Sequence, residues 1–160
     1  MHILVATDAD WVIDEVRAAL GEPGTTFTRC ANGRTVSDAV AARTPDLVIA
    51  DSQSGSMGGM AVTMQLRLDE SSGRLPRVPV LILLDRIADI HLARRAAADG
   101  WLIKPLDALR LRRAARAVSG GETYYEGVPP VPGEPPLVEL GAIDLDSAVE
   151  DAGSESVASG

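Results

Sequence analysis

The sequence predicts a doubly wound α/β fold, in which a five-stranded parallel sheet is covered by helices on both faces. Two observations carry this. Five short apolar runs alternate with segments of helical period, and strands that are apolar on both faces belong to parallel sheets enclosed from both sides. The alternation fills about the first 118 residues, which is the size of one domain.

The first run is Ile3-Leu4-Val5-Ala6, and Val12, Ile13, Val16, Ala19 and Leu20 follow as one face of a helix that stops before Gly21. A second strand is predicted at Thr26–Ala31, a turn at Asn32-Gly33 and a helix over Val36–Arg43. Pro45-Asp46 opens the run Leu47-Val48-Ile49-Ala50, which ends at Asp51. A Gly/Ser loop, Ser52–Gly59, leads to a third helix ending near Glu70. Residues 78–84 read as the fourth strand, Ile87–Ala98 as the fourth helix and Trp101-Leu102-Ile103 as a short fifth strand. Leu111, Ala114, Ala115 and Val118 form the buried stripe of a last helix, closed by Gly120-Gly121.

Beyond that glycine pair the composition changes. Residues 1–116 carry all 15 basic residues and 14 acids, whereas residues 117–160 carry nine acids and no base. The Pro-rich stretch Val128–Pro136 suits neither helix nor sheet interior. The reading is therefore a folded domain over residues 1–119 and an acidic, Pro/Gly/Ser-rich disordered tail over 120–160. The acidic tail argues against nucleic-acid binding. No run reaches the length of a membrane span, and the N-terminus lacks a signal-peptide pattern, so the expected location is cytoplasmic. Cys30 is the only cysteine, which excludes an internal disulfide and a cysteine-cluster metal site.

Three charged residues close three of the five strands: Asp8, Asp51 and Lys104. In the flavodoxin-like strand order 2-1-3-4-5, strands 1 and 3 are neighbours, and ligands bind outside the carboxyl ends of the strands. Asp8 and Asp51 then share one crevice, and two carboxylates there suit a hard cation such as Mg²⁺. Asp51 can attack phosphorus as a nucleophile, with Lys104 reaching the phosphoryl oxygens. Lys104 is the only lysine, every other basic residue being arginine. An Asp at a strand end also serves as a helix cap or turn former; the coincidence of all three favours a site.

These segments resemble the receiver domain of bacterial two-component response regulators. The resemblance rests on Ile3–Asp8, Pro45–Asp51, Gly55–Met60, Val78-Pro79-Val80 and Lys104-Pro105, and covers about residues 2–118. It implies that Asp51 accepts a phosphoryl group from a histidine kinase or phosphotransfer protein. It also implies that Asp8, Asp51 and the Gln53 backbone carbonyl hold Mg²⁺, and that Lys104 is the phosphoryl partner. Signalling would proceed by contact with a downstream protein, or by homodimerisation through the helix 4–strand 5–helix 5 face. Such a domain signals and is not an enzyme.

The departures are specific. Thr7 stands where the family has a first acid, which predicts weaker Mg²⁺ binding; Asp10 is a candidate substitute. Leu84 occupies the position of a Ser or Thr hydroxyl, and Trp101 that of a Tyr or Phe which responds to it, so both switch positions are altered. Gly55 and Gly58 replace a usual Pro and acid, which predicts a looser loop. Two alternatives follow: an unphosphorylated pseudo-receiver acting as an interaction module, and a haloacid-dehalogenase-type phosphatase using Asp8 and Asp10. Arg110, Arg112, Arg113 and Arg116 read as a solvated face, or as a surface on which the acidic tail folds back.

Overall fold

The computed structural model describes residues 1–55 and 57–127. In chain order its elements are β1 (His2–Ala6), α1 (Asp10–Leu20), β2 (Thr26–Cys30), α2 (Val36–Ala42), β3 (Leu47–Asp51) and α3 (Gly59–Ser71). They continue with β4 (Val80–Leu84), α4 (Ile90–Arg95), β5 (Gly100–Ile103), α5 (Ala108–Ser119) and β6 (Tyr124–Tyr125). Short 3₁₀ turns at Gly33–Thr35 and Ile87–Asp89 lead into α2 and α4. All strand pairs are parallel, in the order β2-β1-β3-β4-β5-β6.

The apolar strands divide their side chains between two core layers, as a period of two requires. Ile3, Val5, Leu47, Ile49, Leu81 and Leu83 face the layer completed by α1 and α5. Leu4, Ala6, Val48, Ala50, Val80, Ile82 and Leu84 face the layer completed by α2, α3 and α4. Each fully buried Leu, Ile or Val contributes about 1.5–3 kcal/mol through removal of apolar surface from water. On α1 the predicted face is the buried one, Val12, Ile13, Val16, Ala19 and Leu20. The Asp107 carboxylate caps α5 by accepting from the amides of Leu109 and Arg110.

Several predicted boundaries shift. The fourth strand starts at Val80 rather than Val78, because Pro79 has no amide to give to a ladder. The fourth helix is shorter than Ile87–Ala98: its entry is a 3₁₀ turn, and Ala97 at φ +64° ends it.

The largest correction concerns the C-terminus. Residues 121–127, predicted to open a disordered tail, are folded onto the domain, and β6 adds a sixth strand against β5. Tyr124 and Glu126 are buried, and the Tyr125 ring stacks on Trp101 with centroids 4.3 Å apart. Arg110 is likewise buried rather than solvated, and pairs with Glu126. Burial opposes its charge, but the Glu126 hydrogen bond and negative charge outweigh that and raise its pKa above the ordinary value. The rest of the predicted tail, from residue 128, lies outside the described residues.

Candidate functional site

The carboxyl ends of β1, β3 and β5 meet at one end of the sheet. Asp51, the last residue of β3, is almost fully buried. Lys104, just past β5, donates from Nζ to Asp51 Oδ1 at 2.6 Å. The sequence therefore predicted correctly that these two charges come together. Asp8 follows β1, and its Oδ2 accepts the Gly55 amide at 2.7 Å. Gln53 lies in the turn after β3 and donates its own amide to Asp51 Oδ1 at 3.1 Å.

Three partners escaped the sequence reading. Thr7 is fully buried, and its hydroxyl donates to Asp51 Oδ2 at 2.8 Å while accepting the Ala9 amide at 3.1 Å. Thr7 thus replaces an acid by a donor aimed at the neighbouring carboxylate, which offsets part of its charge. Asp85, directly after β4, accepts from Lys104 Nζ at 3.1 Å and from the Ser52 hydroxyl at 3.0 Å. Lys104 is therefore shared between two carboxylates. Trp11, half-exposed at the start of α1, lies with its ring centroid 5.4 Å from Lys104 Nζ, within cation–π range. Asp85 was findable: it sits at a strand end, by the same rule that singled out Asp8, Asp51 and Lys104.

The departures now have local explanations. Leu84 and Trp101 both pack fully into the core layer of α2, α3 and α4. Leu84 therefore turns away from the charged cluster, and Trp101 is held inward, its indole N–H donating to the Glu126 carbonyl at 2.9 Å. Asp10 pairs with Arg29 at 2.7 Å, and the Arg29 Nε bonds the Thr7 carbonyl at 3.2 Å. Asp10 is thus turned toward Arg29, with its side chain exposed, and makes no contact with Asp51 or Lys104 among the described bonds.

The glycines of the loop do more than loosen it. A Cβ on Gly55 would come within 2.8 Å of Asp8 Oδ2, and one on Gly58 within 2.7 Å of the Ser52 carbonyl. Their absence of side chain lets the loop close on the strand ends, and only a non-proline residue can give Asp8 the amide bond it accepts.

The donor set bears on metal binding. Among the described residues no group of three or more His, Cys, Asp or Glu is placed to enclose an ion. Mg²⁺, however, keeps most of its water and is commonly held by one or two carboxylates together with phosphate oxygens. Two carboxylates at adjacent strand ends, one fixed by a backbone amide, fit that mode. Ser54 Oγ, in the same loop, is buried without a hydrogen-bond partner among the described residues.

Comparison with known proteins agrees with this fold. The family profile described as the response regulator receiver domain matches residues 3–116. The chain is 30% identical over 119 residues to the transcriptional regulatory protein CseB of Streptomyces avermitilis, covering 73% of this chain and 48% of CseB. It is 32% identical over 126 residues to the DNA-binding transcriptional regulator NtrC of Escherichia coli K12, covering 72% of this chain and 25% of NtrC. The chain thus spans about half or less of the length of these relatives. Among solved structures it resembles the chemotaxis response regulator CheY4 of Vibrio cholerae, with a TM-score of 0.64 at 21% identity, covering 73% of this chain and 97% of that one. It also resembles the receiver domain of the sensor histidine kinase PA1611 of Pseudomonas aeruginosa, solved with a magnesium ion in its active-site cleft. There the TM-score is 0.64 at 22% identity, with 74% of this chain and 97% of that one covered.

Proposed function

This chain belongs to the response-regulator receiver family, and from that premise we propose that it accepts a phosphoryl group on Asp51 from a histidine kinase or phosphotransfer protein. The observation that carries the proposal is the buried Asp51 in direct contact with Lys104, beside Asp8 at the next strand end. In the reaction a carboxylate oxygen of Asp51 attacks phosphorus, and the bond from phosphorus to the donor histidine nitrogen breaks. The electron pair leaves with that nitrogen, and the product is an acyl phosphate. Lys104 then moves from the carboxylate to the new phosphoryl oxygens, and the Thr7 hydroxyl stays as a donor to the remaining Asp51 oxygen. Asp8, Asp51 and the Gln53 backbone carbonyl are the residues that would hold Mg²⁺, which supplies charge neutralisation for the incoming phosphoryl group.

The output of such a domain is a protein–protein contact, with an unidentified downstream protein or with a second copy. On the α4–β5–α5 face a second copy would meet β6 along the edge of β5. No helix among the described residues is long and apolar enough to cross a membrane, and we place the phosphotransfer in the cytoplasm.

The test is intact-mass analysis after incubation with Mg²⁺ and acetyl phosphate, with Asp51→Asn beside the parent. An acid-labile adduct on the parent and none on the variant is expected. An adduct of equal size on Asp51→Asn overturns the assignment of the acceptor. A second reading, an unphosphorylated interaction module, is favoured by one observation: Leu84 presents no hydroxyl and is packed in the core. A parent that takes no adduct, and binds no beryllofluoride, would establish that reading instead. The phosphatase alternative needs Asp10 as a general acid, and Asp10 is engaged by Arg29.

A further inference from the structure

The sixth strand brings a buried ion pair to the backbone on both sides of Lys104. Glu126, directly after β6, is 2% exposed, and its Oε1 accepts the Ile103 amide at 3.1 Å. Arg110 of α5 donates from Nε to Glu126 Oε2 at 2.9 Å, and its Nη2 also bonds Oε1. The same guanidinium reaches the Ile103 carbonyl at 2.8 Å and the Pro105 carbonyl at 2.9 Å. Ile103 and Pro105 are the two neighbours of Lys104 in the chain. The planar fork of arginine suits this task, because its donors are fixed relative to one another.

Stability alone is a poor account of the arrangement. Burying two charges costs desolvation that mutual attraction does not reliably repay, and well-packed apolar side chains would serve a fold as well. What the pair adds is position: a guanidinium held by Glu126 grips the carbonyls before and after one lysine. Neither residue touches Asp51, which Lys104 Nζ contacts at 2.6 Å.

We propose that Arg110 and Glu126 are positioning residues for Lys104, so that the C-terminal strand sets the geometry of phosphoryl transfer from outside the site. The proposal rests on the phosphoacceptor reading for its effect on rate, but not for its effect on the lysine itself.

The experiment exploits the fact that Lys104 is the chain's only lysine. Full-length protein grown with ¹³C-lysine gives one side-chain ε resonance by NMR, followed in the parent, Glu126→Gln and Glu126→Ala. The glutamine variant keeps the shape and an acceptor for the Ile103 amide, and so stays informative where the alanine variant fails to fold. Val40→Ala, a buried truncation on α2, supplies a loss of stability remote from the site. Rates of adduct formation with acetyl phosphate and Mg²⁺ are measured on the same samples.

The lysine resonance should move toward the position of free lysine in both Glu126 variants and stay in place in Val40→Ala. Adduct formation should slow on the order of tenfold in the Glu126 variants, the scale expected for misplacing a catalytic group by less than an ångström. A lysine resonance that coincides in the parent and Glu126→Gln, or that moves equally in Val40→Ala, would overturn the proposal. A parent that forms no adduct refutes the phosphoacceptor reading alone, and the resonance still decides the role of Glu126.

Discussion

Asp85→Asn should speed the phosphorylation of Asp51. The substitution removes one negative charge beside Lys104 but keeps a carbonyl oxygen for the Ser52 hydroxyl. Lys104 Nζ lies 2.6 Å from Asp51 and 3.1 Å from Asp85, so the two carboxylates come within about 6 Å of each other, where two unit charges repel by about 3 kcal/mol at an effective dielectric near 20. The Asp85 side chain is 32% exposed, and solvent screening reduces that figure to about 1 kcal/mol. An incoming phosphoryl group meets the same repulsion, and Lys104 is released from its second partner. Both effects act in one direction, and about 1 kcal/mol in the barrier corresponds to roughly a fivefold faster reaction. The assay is the time course of acid-labile adduct by intact mass, with Mg²⁺ and acetyl phosphate at low ionic strength. The gain should shrink as salt is added, because the Debye length falls below the separation involved only at high ionic strength. An unchanged or slower rate at low salt would refute the reasoning, and would mean that Asp85 assists the transfer.

Leu84→Thr restores a hydroxyl at the end of β4, but the site is fully buried; lost packing and a buried hydroxyl should cost about 2–4 kcal/mol, read as a lower midpoint in urea unfolding. Tyr124→Phe removes a buried hydroxyl that has no hydrogen-bond partner among the described residues, so thermal unfolding should show equal or greater stability, by up to about 1 kcal/mol. His2 is buried between Thr26 and Thr28, and burial first, then the Arg43 charge, lowers its pKa below the ordinary 6.5. The unfolded chain therefore takes up the proton first, and His2 contributes stability above about pH 6.5 that is lost as pH falls toward the folded value. His2→Gln should flatten that part of a stability–pH curve measured by denaturant titration.

The sheet and the main charges of the site were legible because they obey local rules. Runs such as Leu47–Ala50 are apolar on every residue, which only a strand covered on both faces tolerates, and Asp51 and Lys104 break such runs at their ends. The sixth strand was not legible for the same reason in reverse. Tyr124-Tyr125 is too short to show alternation, and it stands between glycines and a Pro-rich stretch, where composition points to disorder. Of the two readings of Arg110, the solvated face fails, since it stands four residues before Ala114 on the buried stripe of α5. The fold-back of an acid from beyond residue 119 holds for it, Glu126 being its partner. Thr7 was recognised as a departure, but whether its hydroxyl meets Asp51 depends on the pairing of β1 with β3, which no single segment encodes.

The strand that follows Gly121 also changes how the sheet meets its surroundings. An open strand edge offers unpaired amides and carbonyls on which another chain can add, and proteins blunt this hazard with very short outer strands. Here the apolar β5, with Trp101 at its centre, is covered by a two-residue strand, and the next free amide, that of Ile103, is taken by the Glu126 carboxylate. A fragment ending at the glycine pair, where the composition invites a cut, would bare that edge together with one face of the indole. Its expected behaviour is self-adhesion through strand addition, so the six residues after Gly121 act as a guard against aggregation and belong in any expressed form of the domain.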